Sequence, residues 1–344
     1  MELSDRKLKI LSAVIDNYIL SAEPVSSKIL CNLLDFSVSS ATIRNELAEL
    51  TELGFLEQPH TSAGRIPSHL GYRLYVNELM PHTHLTKKAK AYIDSVLDFN
   101  ITNPELILKT ATHLLVRLTN CAVISTNVST KKNYIRNLKL VQISSCTAML
   151  ILSTSSGIVK NRVFRCEFLL TAEIIIKINQ ILNEFFAGIL LEKVTPAFIQ
   201  TIAVSLGELA FVMSDVLNAL LDISISSAKI DFHFDGQTNL LLIPEFNQQS
   251  AIKLMNFFTY ADDISNLFML PENSKTRVFI GEESPYDELS QSSIIVTKYF
   301  VNGENYGSLG IVGPTRMNYS GLIANLEYIA SLLGSTLNKI LSFE

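Results

Sequence analysis

The sequence predicts an α+β fold, and three observations carry that prediction. Residues 4–53 hold three helical repeats of apolar residues, with a short break before the third and a hairpin signal after it. Residues 121–168 and 276–313 alternate like antiparallel strands. Between those blocks, residues 172–228 switch to a helical period. At 344 residues the chain is longer than one core serves well, so about two or three domains are expected.

The first helix is "SDRKLKILSAVIDNYIL", residues 4–20. It spaces Leu8, Leu11, Ile15 and Tyr18 along one face behind Ser4 as N-cap. "SAEPV" breaks it. "SSKILCNLL", residues 26–34, gives a second helix with Ile29, Leu30, Leu33 and Leu34 inward. "DFSVS" is a tight connection, and a third helix runs from about Ala41 to Leu53. Three helices with that break form a helix-turn-helix arrangement. On the third helix Ile43, Leu47, Leu50 and Leu53 make the buried stripe. Opposite them stand Ala41, Arg44, Asn45 and Ala48, spaced i, i+3, i+4, i+7. The alanines keep that face low, and Arg and Asn match guanine and adenine edges. Ser39, Ser40 and Thr42 can cap the helix or contact phosphate. Glu46, Glu49 and Glu52 lean toward its C-terminal half.

After Gly54, "FLEQP" reads as a strand and "HTSAGRIPS" as a turn returning to a second strand, together a wing. Its tip offers His60, Thr61, Ser62, a permissive glycine and Arg65, groups suited to phosphate contact or minor-groove insertion. "GYRLYVNEL" then leaves as a helix. An amphipathic helix ending in glycine is usually an ordinary core helix. The preceding helix pair, the low face and the basic wing favour DNA binding instead.

"MPHTHLTKKAK", residues 80–90, reads as a polar linker, with His82 and His84 as solvated spacers. A helix is expected from about 104 to 119. Strands follow at 121–127, 138–144, 148–155 and 159–168, and a helix at 172–187. A long helical stretch, 196–228, carries only Glu208, Asp215 and Asp222 as charges, spaced by seven. Such a stretch is buried on most sides, against its own core or against a second subunit. Strand signals return at "KIDFHF", "NLLLIP", 276–281, 293–301 and 307–313, and a last helix spans about 319–341. The strands flanking 172–270 read as halves of one sheet, which makes that segment an insertion. The expected layout is a DNA-binding unit at 1–80, a linker at 81–103, an α+β domain at 104–171 and 271–344, and an inserted domain at 172–270.

Composition narrows the function. Hydrophobic residues make up 48% and mean hydropathy is +0.27. The most apolar helical window, 174–191, still carries Lys177, Asn179, Gln180, Asn183 and Glu184, which hydrocarbon rejects. No signal peptide or membrane span is expected, so the location is cytoplasmic and the apolar excess belongs to cores and a subunit interface. Cys31, Cys121, Cys146 and Cys166 sit in apolar segments without metal or redox spacing. Net charge is −5, and residues 1–80 hold seven cationic against ten anionic side chains, a balance of −3. A DNA reader must therefore rely on placement of charge, not amount. No phosphate-binding loop, metalloprotease or nucleophile-elbow motif occurs, and no metal or cofactor is expected; an enzyme is disfavoured. "GPTRMNYS", residues 313–320, sits at a strand-to-helix junction. It can hold an anion at a helix N-terminus with Arg316; the plainer reading is a turn with Asn318 as N-cap and Arg316 bridging domains.

"SATIRNELAELTELGFLEQPHTSAGRIPSHLGYRLYV" resembles the signature of the heat-inducible transcription repressor HrcA family. "FDGQTNLLLIPEF", "VFIGEESP" and "GSLGIVGPTRMNY" resemble later blocks of that family, in the same order over nearly the whole chain. The resemblance implies a winged helix-turn-helix, then a GAF-like domain interrupted by an inserted dimerising domain. It implies repression of chaperone operons through an inverted-repeat operator in double-stranded DNA, bound as a homodimer. The implied partner is the chaperonin GroEL, which keeps the repressor active. By position, Ala41 to Ala48 match the recognition helix and His60 through Pro67 the wing. In the insertion, Leu209, Val216 and Leu220 are the expected dimer contacts. The alternative is a regulator that senses a small molecule through the GAF-like domain.

Overall fold

The computed structural model describes residues 3–34, 39–61, 63–97, 103–127, 133–155, 157–228, 231–259 and 261–341. Helices α1 (Asp5–Ser21), α2 (Ser27–Leu33) and α3 (Ser40–Glu52) form the N-terminal bundle. Ala22, left-handed at φ 57°, ends α1, and Ser26 and Ser39 cap α2 and α3 by accepting from Ile29 and Thr42 N–H. Ile10, Leu11, Val14 and Ile15 of α1 pack with Leu30, Ile43, Leu47 and Leu50. The inward stripes are narrower than expected: Ile29 and Leu33 are 39% and 49% exposed, and Leu53 is 36% exposed. Strands β1 (Leu56–Glu57) and β2 (Ile66–Pro67) pair antiparallel as the base of a wing. Helix α4 (His69–Leu74) runs on into a π-helical turn at Tyr75–Leu79.

The expected linker is not a free tether. It contains α5 (Lys87–Val96), whose Ile93 is fully buried. Helix α6 (Pro104–Thr119) and strand β3 (Ala122–Asn127) follow.

The next segment corrects the expected sheet membership. β4 (Ile135–Ser144), β5 (Thr147–Thr154) and β6 (Val159–Arg165) form a three-stranded sheet of their own, separate from β3. Together with α7 (Ala172–Phe186), α8 (Pro196–Leu206) and α9 (Leu209–Ala228) they enclose one core, including Leu138, Leu150, Ile178, Leu182 and Val216. The single long helix expected over 196–228 is two, separated at Gly207, which takes φ 56°. Asn179 and Asn183 of α7 exchange amide hydrogen bonds with the backbone of Leu140 and Leu138, at 2.6–3.2 Å. Those amides satisfy the open edge of β4 as a neighbouring strand would.

The chain then returns through β7 (Asp231–Asp235), α10 (Gln248–Thr259), α11 (Ala261–Phe268), β8 (Thr276–Ile280), β9 (Ser292–Val301), β10 (Glu304–Pro314) and α12 (Tyr319–Leu341). "NLLLIP" is not a strand; it falls mostly in a 3-10 turn at Gln237–Leu242. The five-stranded antiparallel sheet has the order β7-β3-β10-β9-β8. Asn127 and Asp231 are register partners at the ends of β3 and β7. The inserted unit thus occupies the place of a hairpin turn, between 127 and 231. This differs from the expected 172–270, because α10 and α11 cover one face of the main sheet through Leu254, Phe258, Ile264 and Phe268. The other face packs on α6 and α12, in a core continuous with the N-terminal bundle.

Candidate nucleic-acid interface

The exposed face of α3 follows from its buried one. Ile43, Leu47 and Leu50 are at most 4% exposed, and this anchors the helix by one stripe. Ala41, Arg44, Asn45 and Ala48 come out on the opposite side, all exposed. Ser39 Oγ accepts from Thr42 N at 3.1 Å and lies 2.9 Å from Thr42 Oγ1, so both hydroxyls are used in capping. Ser40 Oγ lies 3.0 Å from Ser27 Oγ and ties α3 to α2. Four of the seven predicted helix residues thus form the open stripe, while Ser39, Ser40 and Thr42 also shape the helix start.

The acidic residues of α3 behave differently from the expectation. Glu46 is only 4% exposed and belongs to the interior. It is ion-paired with Arg6, and the Lys7 ammonium lies 3.8 Å from its second oxygen. Lys7 also binds Glu49 at 2.6 Å. That hydrogen bond and the charges of Glu49 and Glu46 outweigh the opposing effect of desolvation and raise the Lys7 ammonium above its ordinary range. Two cations of α1 therefore neutralise two carboxylates of α3 and fix its rotation. The helical pattern of residues 4–20 gave no sign of this pairing, since its partner lies 40 positions away.

The wing is organised by Gln58, which no motif in the sequence marks. Its amide donates to the carbonyls of Thr61 and Ala63 at 3.0 and 3.1 Å. His60 and Thr61 are exposed at the tip; Ser62 lies outside the described residues. Arg65 is half-buried, and its Nε donates to Thr51 Oγ1 at 2.9 Å. Its backbone bridges Val25 through two hydrogen bonds of 2.8 and 2.9 Å. Arg65 thereby joins the wing to both α3 and the segment before α2.

The bundle is seated on the main sheet by two arginines. Arg73 of α4 donates through Nε to Glu283 at 2.6 Å and through Nη2 to the Val278 carbonyl at 2.7 Å. Burial raises the Glu283 carboxyl, but the Arg73 hydrogen bond, the Ile280 N–H and the Arg73 charge prevail and hold it below the usual range. Arg316 donates to the Ile19 carbonyl at 2.8 Å and to Glu245 at 2.5 Å, while Asn318 Oδ1 accepts from Gly321 N at 3.1 Å. The 313–320 turn is thus an N-cap and a domain bridge, as its plainer reading held.

The expected dimer residues do not share a surface. Val216 and Leu220 are fully buried in the inserted unit's own core, and only Leu209, at 37% exposed, faces outward. A helix apolar on nearly every side cannot show in sequence which side meets its own sheet. Helix α9 is also long and apolar enough to cross a membrane, yet Met213, Val216, Leu217, Leu220 and Ile223 pack into that core.

Residues 105–323 match the family model described as the HrcA protein C terminal domain. The heat-inducible transcription repressor HrcA of Ruminiclostridium cellulolyticum is 34% identical over 345 residues, covering 99% of both chains. That of Thermoanaerobacter pseudethanolicus is 34% identical over 353 residues, covering 100% of both. A crystal structure of a hypothetical protein, solved at 2.2 Å, superposes with a TM-score of 0.69 at 25% identity, over 98% of this chain and 100% of that one. With more than half of the chain matched by the family model and relatives aligned from end to end, the chain belongs to the HrcA family of heat-inducible transcription repressors.

Proposed function

We propose that the chain represses chaperone operons by seating the open stripe of α3 in the major groove of an inverted-repeat operator, as a homodimer whose active form is renewed by the chaperonin GroEL. The observation that carries the DNA reading is the stripe itself: Ala41, Arg44, Asn45 and Ala48 exposed above a fully anchored helix. Arg44 would take guanine O6 and N7 and Asn45 adenine N6 and N7, while the alanines let the backbone approach. His60 and Thr61 would follow the flanking backbone from the wing, with Arg65 behind them. Exposed Val204, Leu209 and Phe211, on either side of the Gly207 turn, supply the apolar surface for the dimer, at 78%, 37% and 86% exposed.

Heat would silence the repressor by loss of folded dimer. A natural protein is stable by only roughly 5–15 kcal/mol, and unfolding accelerates steeply with temperature. The DNA-binding bundle shares one core with α6 and α12, so opening that core disturbs the reading head as well. The test is a gel shift against an inverted repeat from a chaperone promoter, at fixed salt, before and after mild heating. Binding should fall on heating and return with chaperonin and ATP. Binding that survives heat-shock temperatures unaided, or that a small molecule restores without chaperonin, would overturn this reading.

A further inference from the structure

Two of the cysteines meet across the inserted sheet. Cys146 lies in the turn between β4 and β5, and Cys166 directly follows β6. β5 and β6 pair antiparallel with Thr147 facing Arg165, so Cys146 and Cys166 are the next facing positions. The Cys166 N–H donates to the Cys146 carbonyl at 2.8 Å, which continues the ladder by one hydrogen-bonded pair. Such pairs hold their Cα atoms about 5.5 Å apart, inside the roughly 4.4–6.8 Å that a disulfide spans. Facing residues share one side of a sheet, and here it is the side of Ala148 and Leu150, which is buried.

Both thiols are free; Cys166 is 2% exposed and Cys146 is half-buried. Burial first, then the Asp215 carboxylate and Cys146 itself, push the Cys166 thiol up. An oxidant therefore meets Cys146 first. Among the described residues no group of three His, Cys, Asp or Glu side chains could hold a metal ion. That leaves the pair to thiol chemistry. Cys31 and Cys121 lie in α2 and just before β3, outside the inserted unit.

We propose that Cys146 and Cys166 form a reversible cross-strand disulfide when the protein meets a hydroperoxide. The Cys146 thiolate attacks a peroxide oxygen; an S–O bond forms, the O–O bond breaks, and the departing oxygen leaves protonated, as water from hydrogen peroxide. The Cys166 sulfur then attacks the sulfenic sulfur of Cys146. The S–S bond forms, the S–O bond breaks, and a second water leaves with the Cys166 proton. Two electrons pass from the thiols to the peroxide. The new bond staples the β4–β5 turn to the segment after β6. There the Leu170 N–H meets the Ser145 carbonyl at 2.8 Å, and the Glu167 N–H meets Asp215 of α9 at 3.2 Å. Closing that loop restricts the unfolded chain and raises the thermal midpoint of the inserted unit.

The test uses the reduced full chain, treated with hydrogen peroxide, alkylated and mapped by peptide mass without reductant. A peptide joining Cys146 to Cys166 should form, disappear with dithiothreitol, be absent from Cys146→Ser and Cys146→Ala, and persist when Cys31 and Cys121 are both replaced by Ser. The thermal midpoint of the oxidised chain should rise by several degrees. Sulfinic acid at Cys146 without a linked peptide, a link to Cys31 or Cys121, or a link only between chains would overturn the proposal. An unchanged midpoint in the linked protein would overturn the stiffening.

Discussion

Two glycines, one before the wing and one in its loop, should lose stability on substitution for different reasons, with the order of Ala and Asn reversed between them. Gly64 does not need a left-handed backbone; it needs space. A Cβ built there would lie 2.5 Å from both the carbonyl carbon and oxygen of Val25, and 2.8 Å from the carbonyl carbon of Pro24. Those are backbone atoms, so nothing can rotate away. Relief requires opening the bridge in which Val25 and Arg65 exchange hydrogen bonds of 2.8 and 2.9 Å. Two hydrogen bonds at about 1 kcal/mol each, with an overpacking cost of about 1–3 kcal/mol, put Gly64→Ala at about 3–5 kcal/mol. Gly54 is the reverse case. Its φ is +81° and the nearest atom to an added Cβ is Leu70 Cδ2 at 3.9 Å. Gly54→Ala should cost about 1–2 kcal/mol from the left-handed conformation alone, and Gly54→Asn less, since Asn tolerates that region. Gly64→Asn should be at least as damaging as Gly64→Ala. Urea denaturation of the four variants, followed by circular dichroism, measures all of this. If Gly64→Ala lies within about 0.5 kcal/mol of the parent, the wing is not braced against Val25 as described.

Arg44→Ala and Asn45→Ala should each cost about 1–3 kcal/mol of specific operator binding with the fold intact; a gel shift showing near-parental affinity would remove them from the reading set. The carboxyl of Glu283 is held below its ordinary value of 4.5 in the folded state, so its contribution is present above that value and is lost as pH falls through the depressed one. Acid titration of stability should therefore show a loss in that window for the parent that Glu283→Gln lacks. In the inserted unit, Phe211→Glu should yield folded monomers in sedimentation, whereas Val216→Glu should unfold the unit because its side chain has no exit from the core. A folded dimer of Phe211→Glu would move the interface elsewhere.

The exposed face of α3 was legible because one helix carried a complete apolar stripe, Ile43 to Leu50, and the opposite stripe followed from 3.6-residue geometry. The hairpin after α3 was legible from turn chemistry; its strands are two residues each, and Gln58 folds its amide back over the loop. What failed had a common cause. Alternation marks β4 and β3 alike as strands, but it does not say which sheet each joins. The segment that holds α10 and α11 falls within the expected insertion of 172–270, because no local signal there marks helices that cover the main sheet. The burial of Glu46, the seat of Arg73 and the inward turn of Leu220 all depend on partners far away in the chain.

The charges of the bundle bear on how a segment of net −3 would read DNA under the proposed function. Arg6 and Lys7 are engaged with Glu46 and Glu49, Arg73 with Glu283, and Arg65 with Thr51. Four of its seven cations thus hold the bundle's own geometry or its seat on the main sheet, and Arg44 stands exposed on the stripe that would meet DNA. Affinity that comes from counterion release grows with the number of cations laid on phosphate. A head with so few must draw on base contacts and shape, which act only while α3 is held at its proper angle. That angle depends on the Glu46 pairing, on the Val25–Arg65 bridge and on a core shared with α6 and α12. Under the proposed function, a protein built this way retains little nonspecific grip once the core loosens. Modest heating would then release the operator completely instead of leaving a weakly bound residue on the DNA.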